Sequence, residues 1–216
     1  MKKKGLGLFA GFCLTLSMST AQATYLYEFS GVMPVGGTII DLPVSAGETW
    51  TALVNVDELV VDSSSGRSDY GYYPGAVMDV SLSFSGGFSV SFAGSMSDQI
   101  RVFDNYFDNY TGSTFDGVGL YMNDGTNHLI IQVLNETDLS SLTSDALPLP
   151  GTMMASDMGA YSYVMLNYNG ALGGIAYSDG TADNTVFEAK ASVPEPATLL
   201  LMGLGLVGLG LTRKRK

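Results

Sequence analysis

The protein has 216 residues and a formal net charge of −11, with 10 Lys and Arg residues against 21 Asp and Glu residues. Seven of the basic residues lie at the two ends, so residues 24–192 hold 20 acidic and three basic residues, a net charge of −17. Like-charge repulsion excludes binding of so acidic a segment to a nucleic-acid backbone. A chain of this length holds one ordinary domain rather than two.

The first 23 residues have the pattern of a signal peptide. Lys2–Lys4 form a positive start, Leu6–Leu16 form a short apolar stretch, and the small residues Ala21 and Ala23 mark a site for signal peptidase. This order of segments is typical of a cleaved export signal. We expect a mature chain that begins at Thr24. The single cysteine of the chain lies in the signal, so the mature protein has no thiol for catalysis or metal binding.

Residues 24–192 contain short runs in which apolar and polar residues alternate, as expected of β-strands with one solvated face. The clearest is a hairpin in which serines alternate with apolar residues on both sides of Gly86-Gly87. Ten to twelve strand candidates follow one another, and a short helical turn is expected only within 138–146. The predicted fold is all-β: one antiparallel β-sandwich of jelly-roll type, formed by residues 24–192. Further candidate strands lie near Trp50–Val56, Val118–Met122, Leu129–Val133, Tyr161–Met165 and Thr185–Ala189.

Acidic residues in the middle of the chain suggest a calcium site. Asp104, Asp108 and Asp116 lie within thirteen positions, together with Asn105 and Asn109. Carboxylate and amide oxygens are the ligands that calcium prefers. The spacing does not fit an EF-hand loop, and Asp and Asn also favour turns through local hydrogen bonds. Calcium is the one candidate cofactor.

Three tyrosines suggest contact with carbohydrate. Tyr70, Tyr72 and Tyr73 surround a glycine, and exposed aromatic rings beside polar groups suit stacking on sugars. Tyrosine is also a common packing residue in strands, so a purely structural role is the alternative.

Residues for catalysis are scarce. The chain has one histidine, His128, and no G-x-S-x-G motif, so neither a nucleophilic triad nor a zinc site with several His or Cys ligands is indicated. A glycosidase needs only two carboxylates, but the spacing of the acids selects no pair. We therefore predict no catalytic residues and no enzymatic activity.

The C-terminal residues 193–216 form three segments in order. Pro194, Glu195 and Pro196 come first, an uncharged apolar run covers 197–211, and Arg213–Lys216 end the chain. Fifteen helical residues reach about 22 Å, short of a bilayer core of about 30 Å unless the flanks contribute. We expect a short transmembrane helix whose basic end stays in the cytoplasm. Two prolines hold an extended backbone, which an active-site groove can bind at low entropic cost.

This tail resembles the PEP-CTERM sorting signal of Gram-negative bacteria. The resemblance implies recognition of Pro194, Glu195 and Pro196 by an exosortase, a membrane-embedded transpeptidase found in bacteria that make exopolysaccharide. It implies transient anchoring in the inner membrane through 197–211, followed by release or transfer to the cell surface or matrix. A permanent tail anchor is the alternative.

Two kinds of function fit this sequence. The first is an exported, non-enzymatic protein of the cell surface or of an exopolysaccharide or biofilm matrix, whose partners are signal peptidase, exosortase and extracellular polysaccharide. The alternative is a secreted carbohydrate-active enzyme or a calcium-dependent module for carbohydrate binding or adhesion. The passenger domain, 24–192, has no sequence feature that decides between them.

Overall fold

The computed structural model describes residues 24–33, 43–64, 66–123, 125, 127–156, 163–168, 171–177 and 185–191. These residues form β-strands and connecting loops, with no helix in the described ranges. The strands are β1 Thr24–Val32, β2 Thr49–Asp57, β3 Tyr70–Pro74, β4 Val77–Phe84, β5 Ser89–Ala93, β6 Gln99–Asp108, β7 Ser113–Asn123, β8 His128–Asn135, β9 Met153–Ala155, β10 Tyr163–Tyr168, β11 Ala171–Tyr177 and β12 Val186–Ala191.

The strands form two six-stranded sheets. The first has the order β5-β4-β2-β1-β12-β9, and the second has the order β11-β10-β8-β7-β6-β3. Every recorded strand pair is antiparallel. The prediction of an all-β protein with antiparallel sheets is confirmed, and the arrangement is consistent with a sandwich. The jelly-roll connectivity stays a prediction.

The core consists of apolar side chains at every second position of the strands. In β2, Trp50, Ala52, Val54 and Val56 are buried, while the residues between them are partly or fully exposed. Successive side chains of a strand point to opposite faces, so one apolar set per strand covers one side of each sheet. Burying a large apolar side chain contributes about 1.5–3 kcal/mol, which makes these inner faces the main source of stability.

The predicted hairpin at Gly86-Gly87 is confirmed as β4 and β5. The amide of Phe84 donates to the carbonyl of Phe88 at 2.9 Å, and Gly87 has a φ of 97°. Glycine adopts this left-handed conformation without the steric penalty that a Cβ atom brings. The turn thereby fixes the register in which Ser81 pairs with Ser91.

A connection of residues 136–152 leads from β8 in the second sheet to β9 in the first. The short helical turn predicted within it is wrong, because the segment consists of turns and bends. Asn135 Oδ1 accepts the amides of Thr137 and Asp138 at 2.9 and 2.7 Å, and Asp138 Oδ1 accepts the amide of Ser140 at 3.1 Å. Such side-chain bonds replace the helical backbone bonds.

Two tyrosine hydroxyls attach this connection to the strands. Tyr27 donates to the carbonyl of Pro148 and Tyr73 donates to the carbonyl of Asp145, both at 2.9 Å. Leu142 and Leu147 from the connection are buried in the core. The connection is therefore part of the folded core rather than a loose surface segment.

The described strands lie in one compact unit, Ala23–Val193. The proposed division into 1–23, 24–192 and 193–216 stays a prediction, because both end segments lie outside the described residues. The signal peptide, its cleavage site and the apolar run at 197–211 are therefore sequence predictions only.

Candidate functional site

The outward residues of β3, β6, β7 and β8 share one face of the second sheet, which we call the second outer face. Strand register places Tyr72 opposite Arg101, Arg101 opposite Gly119, and Gly119 opposite Gln132. This row crosses four strands. Around this row the outward positions carry no carboxylate: Tyr70, Tyr72 and Pro74; Gln99, Arg101 and Phe103; Phe115, Gly117, Gly119 and Tyr121; His128, Ile130, Gln132 and Leu134. Beyond the break in the β6–β7 register, Tyr106 and Asp108 point outward as well.

The centre of this face is a group of five polar or aromatic side chains, which we call the arginine–tyrosine site. The guanidinium carbon of Arg101 lies 4.0 Å from the ring centroid of Tyr121, and its Nε donates to Gln99 Oε1 at 3.2 Å. The Tyr121 hydroxyl donates to Gln132 Oε1. Tyr72 completes the group as the cross-strand neighbour of Arg101. All five side chains are partly exposed.

Gly119 explains why Tyr121 can lie flat on the sheet. A Cβ atom at Gly119 would lie 2.7 Å from Cε2 of Tyr121, closer than atoms can approach without a shift. The glycine leaves room for the ring, and the ring in turn supports the guanidinium. A cation over a tyrosine face contributes about 0.5–2 kcal/mol, more when it is desolvated.

One end of the second outer face is an aromatic cluster of Tyr70, Phe103, Tyr106 and Phe115, packed with Leu134. The ring centroids of neighbouring members lie 5.4–5.8 Å apart. Aromatic rings prefer tilted contacts at this distance. Burial raises the pKa of Tyr70 above its usual range. The cluster is separate from the inner core and gives the face a rigid apolar end.

Arg67 lies over this cluster but is already neutralised. Its guanidinium carbon is 4.9 Å from the Tyr106 centroid, and it forms two hydrogen bonds of 2.8 Å with the carboxylate of Asp69. The hydrogen bond from Arg67 lowers the pKa of Asp69. A bidentate pair of this kind leaves little positive charge for a ligand.

The predicted carbohydrate residues are split between the two faces of β3. Tyr70 and Tyr72 point outward, whereas Tyr73 is only 5 % exposed and belongs to the core. The hydroxyl of Tyr73 donates a hydrogen bond to the carbonyl of Asp145. The outward pair is the part of the predicted set that a ligand can reach, and its role in binding carbohydrate stays a prediction.

The predicted calcium ligands have separate contacts. Asp104 Oδ1 accepts Nδ2 of Asn105 at 2.9 Å, and Asp108 caps the β6–β7 turn by accepting the amide of Tyr110 at 3.0 Å. Asp116 is fully buried. Within the described part of the chain, no group of three or more His, Cys, Asp or Glu side chains is placed to hold a metal ion. The calcium site stays a prediction, and it requires a melting temperature that rises with calcium.

The buried carboxylate of Asp116 accepts two backbone amides and so stabilises the local backbone. Its Oδ1 accepts the amide of Asn105 at 2.8 Å, and its Oδ2 accepts the amide of Leu142 at 2.9 Å. Asn105 lies at a break in the β6–β7 register and has a φ of 52°. Burial raises the pKa of Asp116. One carboxylate thus fixes both a bulge in β6 and the 136–152 connection.

The described residues provide two further places to look for chemistry. His128 begins β8 and pairs in register with Asn123 and Asn167. A cavity of about 220 Å³ lies within the 136–152 connection. Its lining consists of apolar and hydroxyl side chains: Ser141, Leu142, Thr143, Ser144, Ala146, Leu147, Pro148, Leu149 and Thr152. Neither place offers the pair of carboxylates that glycoside hydrolysis needs.

Sequence reasoning missed Gln99, Arg101, Tyr121 and Gln132 as site residues. Arg101, Tyr121 and Gln132 each lie between two apolar core positions of their strands, and Gln99 begins β6 beside the buried Ile100. This alternation indicates a solvated face. What the alternation cannot give is the order of strands, and that order brings the four residues together.

Comparison with known families decides the identity of the tail. Residues 192–216 match the PEP-CTERM protein-sorting motif. The chain carries a PEP-CTERM tail. The motif marks an exported protein that is processed by an exosortase and sorted to the cell surface, and the resemblance seen in the sequence is confirmed. No curated protein and no solved structure shows a significant match to the chain.

The PEP-CTERM match covers only the last residues of the chain and leaves the β-sandwich unassigned. The matched residues themselves lie outside the described ranges. No helix in those ranges is long and apolar enough to cross a membrane. The function of the passenger must therefore be argued from its own surface.

Proposed function

We propose that this PEP-CTERM protein is a non-enzymatic component of the cell surface or extracellular matrix that binds exopolysaccharide through its second outer face. One observation carries the proposal. A segment with a net charge of −17 has a group of outward positions around Arg101 that carry no carboxylate, and on them tyrosine, glutamine and arginine side chains lie side by side. Solubility alone does not require such a face.

The geometry suits a polymer of sugars. Tyr72 and Tyr121 provide aromatic surface, and Gln99 and Gln132 provide amide groups. An aromatic side chain offers a large apolar area with a polar tip, which matches the apolar faces and hydroxyl edges of a sugar ring. An open sheet face can contact several sugar units in a row, whereas a small ligand favours a deep pocket.

An acid-dependent carbohydrate-active enzyme is the competing function. It requires two carboxylates on either side of a bound sugar. The buried Asp98 and Asp116 both accept backbone amides, and the outward positions around Arg101 offer no carboxylate. These contacts favour binding over hydrolysis.

Binding is tested by affinity electrophoresis of the full chain in gels that contain the exopolysaccharide of the producing bacterium. Tyr72→Ala and Tyr121→Ala should each weaken retardation by about fivefold or more, because each removes a stacking ring worth about 1 kcal/mol or more. Tyr110→Ala is the matched control, since Tyr110 is 96 % exposed at a hairpin tip away from the site.

Equal losses for Tyr110→Ala and the two site variants would contradict binding at this face. Release of new reducing ends from the polysaccharide by the wild-type protein would contradict the non-enzymatic part of the proposal. The two measurements use the same protein and the same polymer, so they separate location from activity.

Sorting is tested by the intact mass and C-terminal sequence of protein from the cell surface and from the medium. We expect loss of the residues beyond the Pro194-Glu195-Pro196 region and a first residue of Thr24. Added mass at the new C-terminus would indicate attachment to an anchor. A mature chain that still ends at Lys216 would mean a permanent membrane anchor instead.

A further inference from the structure

We propose that the arginine–tyrosine site binds a uronate, so that the polysaccharide which this protein recognises is an acidic one and Arg101 holds a sugar carboxylate. This inference rests on the proposed function and adds the chemical class of the ligand. It follows from where the three basic residues of the passenger lie and from what each of them contacts.

Two of these three basic residues are already paired. Lys190 contacts the carboxylates of Glu28 and Glu188 on the first sheet, and Arg67 forms its bidentate pair with Asp69. Among the residues that the structure describes, Arg101 has no carboxylate partner. Its one recorded hydrogen bond is made through Nε to Gln99. The two terminal nitrogens of the guanidinium are the groups that usually donate to both oxygens of a carboxylate in a bidentate pair.

The surroundings of Arg101 prepare it for an anion. Stacking on Tyr121 at 4.0 Å fixes the plane of the guanidinium, so little side-chain entropy is lost when a ligand binds. The hydrogen bond from Tyr121 to Gln132 fixes the ring below it. The neighbouring outward positions carry no acid, and the two carboxylates beside β3 are already engaged: Asp62 accepts the amide of Tyr72, and Asp69 pairs with Arg67.

The acids of the first sheet do not prevent this contact. Glu28, Glu188 and Asp79 point outward from the first sheet, and packed sheets lie about 10 Å apart. Coulomb repulsion falls with distance, so carboxylates on the opposite sheet act less strongly on a bound anion than the direct contact with Arg101 does.

A carboxylate on a sugar fits better than a carboxylate on a peptide. Tyr72 lies beside Arg101 across the strand pair. Gln99 pairs in register with Tyr121, and Gln132 accepts the hydroxyl of Tyr121. A uronate unit presents a carboxylate, a ring face and several hydroxyls within one residue. Each of these groups has a counterpart among the five side chains.

The test compares binding of the full chain to polygalacturonate with its binding to the same polymer after methyl esterification, which removes the charge and keeps the sugar. We expect the wild-type protein to prefer polygalacturonate by about tenfold or more, as for a hydrogen bond to a charged group. Arg101→Gln should abolish this preference. Arg101→Lys should keep part of it, because lysine retains the positive charge but cannot form a bidentate pair with a carboxylate.

Lys190→Gln is the control for net charge, since it removes one positive charge from the opposite sheet and should leave the preference intact. Melting curves of each variant establish that it is folded. Equal binding of the wild-type protein to both polymers, or an equal preference in Arg101→Gln, would overturn the assignment of a uronate while polysaccharide binding stands. If the wild-type protein bound none of the three polymers, neither polygalacturonate nor its methyl ester nor the native exopolysaccharide, the proposed function itself would be overturned.

Discussion

The outer faces of the two sheets differ, although their inner faces are built in the same way. The first outer face, formed by the outward residues of β1, β2, β4, β5 and β12, carries small hydroxyl residues and paired charges. Ser81 faces Ser91 and Ser83 faces Ser89, while Lys190 joins Glu28 to Glu188. The second outer face carries tyrosines, glutamines and an arginine without an acidic partner. Side chains of the first kind keep a domain soluble, and those of the second kind are the ones to which we assign binding.

This contrast separates stability from function within one sandwich. The inner faces of both sheets supply the core, so substitutions there should unfold the protein whichever sheet they belong to. Substitutions on the second outer face should change binding with a smaller effect on stability. Four changes, from the largest expected effect to the smallest, test this separation.

The largest loss of stability is expected for Phe187→Ala on the inner face of the first sheet. Phe187 is fully buried, and its ring centroid lies 5.1 Å from those of Tyr27 and Phe29. Deleting such a ring costs about 3–5 kcal/mol of unfolding free energy, measurable by urea denaturation. Phe107→Ala is the control, because Phe107 is 50 % exposed. Similar midpoints for the two variants would contradict the assigned core.

Asp116→Ala comes next, because it removes the acceptor of two backbone amides at once. Leaving buried amides without partners costs about 1–3 kcal/mol each, so we expect a loss of about 2 kcal/mol or more. Asp116→Asn keeps one oxygen and should lose less. Hydrogen exchange should increase at Asn105 and Leu142, the two donors. Unchanged exchange at these two amides would show that the carboxylate does not hold the bulge and the connection.

Tyr73→Phe should change the response to alkali. Burial raises the pKa of Tyr73 to about 12, above its value in the unfolded chain of about 10. The folded state therefore holds the proton more tightly, and this contribution to stability is complete below pH 10 and is lost as the pH rises towards 12. One proton contributes a slope of at most about 1.4 kcal/mol per pH unit. Denaturant midpoints between pH 9 and 12 should fall less steeply in the variant. Parallel curves would contradict a raised pKa.

The smallest effect is expected for Lys190→Gln on the first outer face. Ion pairs at the surface contribute about 0–1 kcal/mol and weaken with salt. The hydrogen bond that Lys190 donates to Glu28 raises the pKa of Lys190, yet the side chain is 34 % exposed. Thermal melting at low and high salt should show a small difference that salt removes. A loss as large as that of Phe187→Ala would contradict the assignment of Lys190 to a solvated outer face.

Much of the fold could be predicted from the sequence because strand periodicity is local. The alternation at Trp50–Val56 and the glycine pair at the β4–β5 turn each act within a few residues, and both predictions are confirmed. The sorting tail is equally local, since its three segments follow one another directly. The expected helical turn at 138–146 was wrong because Asn135 and Asp138 compete for the backbone amides.

The candidate site depends on contacts between distant positions, and these could not be predicted. Arg101 and Gln132 lie on one row only because β6 and β8 both pair with β7. Tyr72 and Tyr73 are neighbours in sequence, but β3 places one outside and one in the core. Asp116 was a plausible calcium ligand in the sequence, and its amide partner at Leu142 comes from a loop twenty-six residues away.

The pairing of β1 with β12 has a consequence for the order of events during export. The first strand of the domain lies between β2 and the last strand, and Tyr27 and Phe29 pack on Phe187. The first sheet therefore cannot be completed until almost the whole passenger has crossed the membrane. Folds rich in such distant strand pairs need about milliseconds to seconds to form. Because β12 ends at Ala191 and the matched motif begins at residue 192, completion of the sheet and emergence of the exosortase site are adjacent steps along the chain.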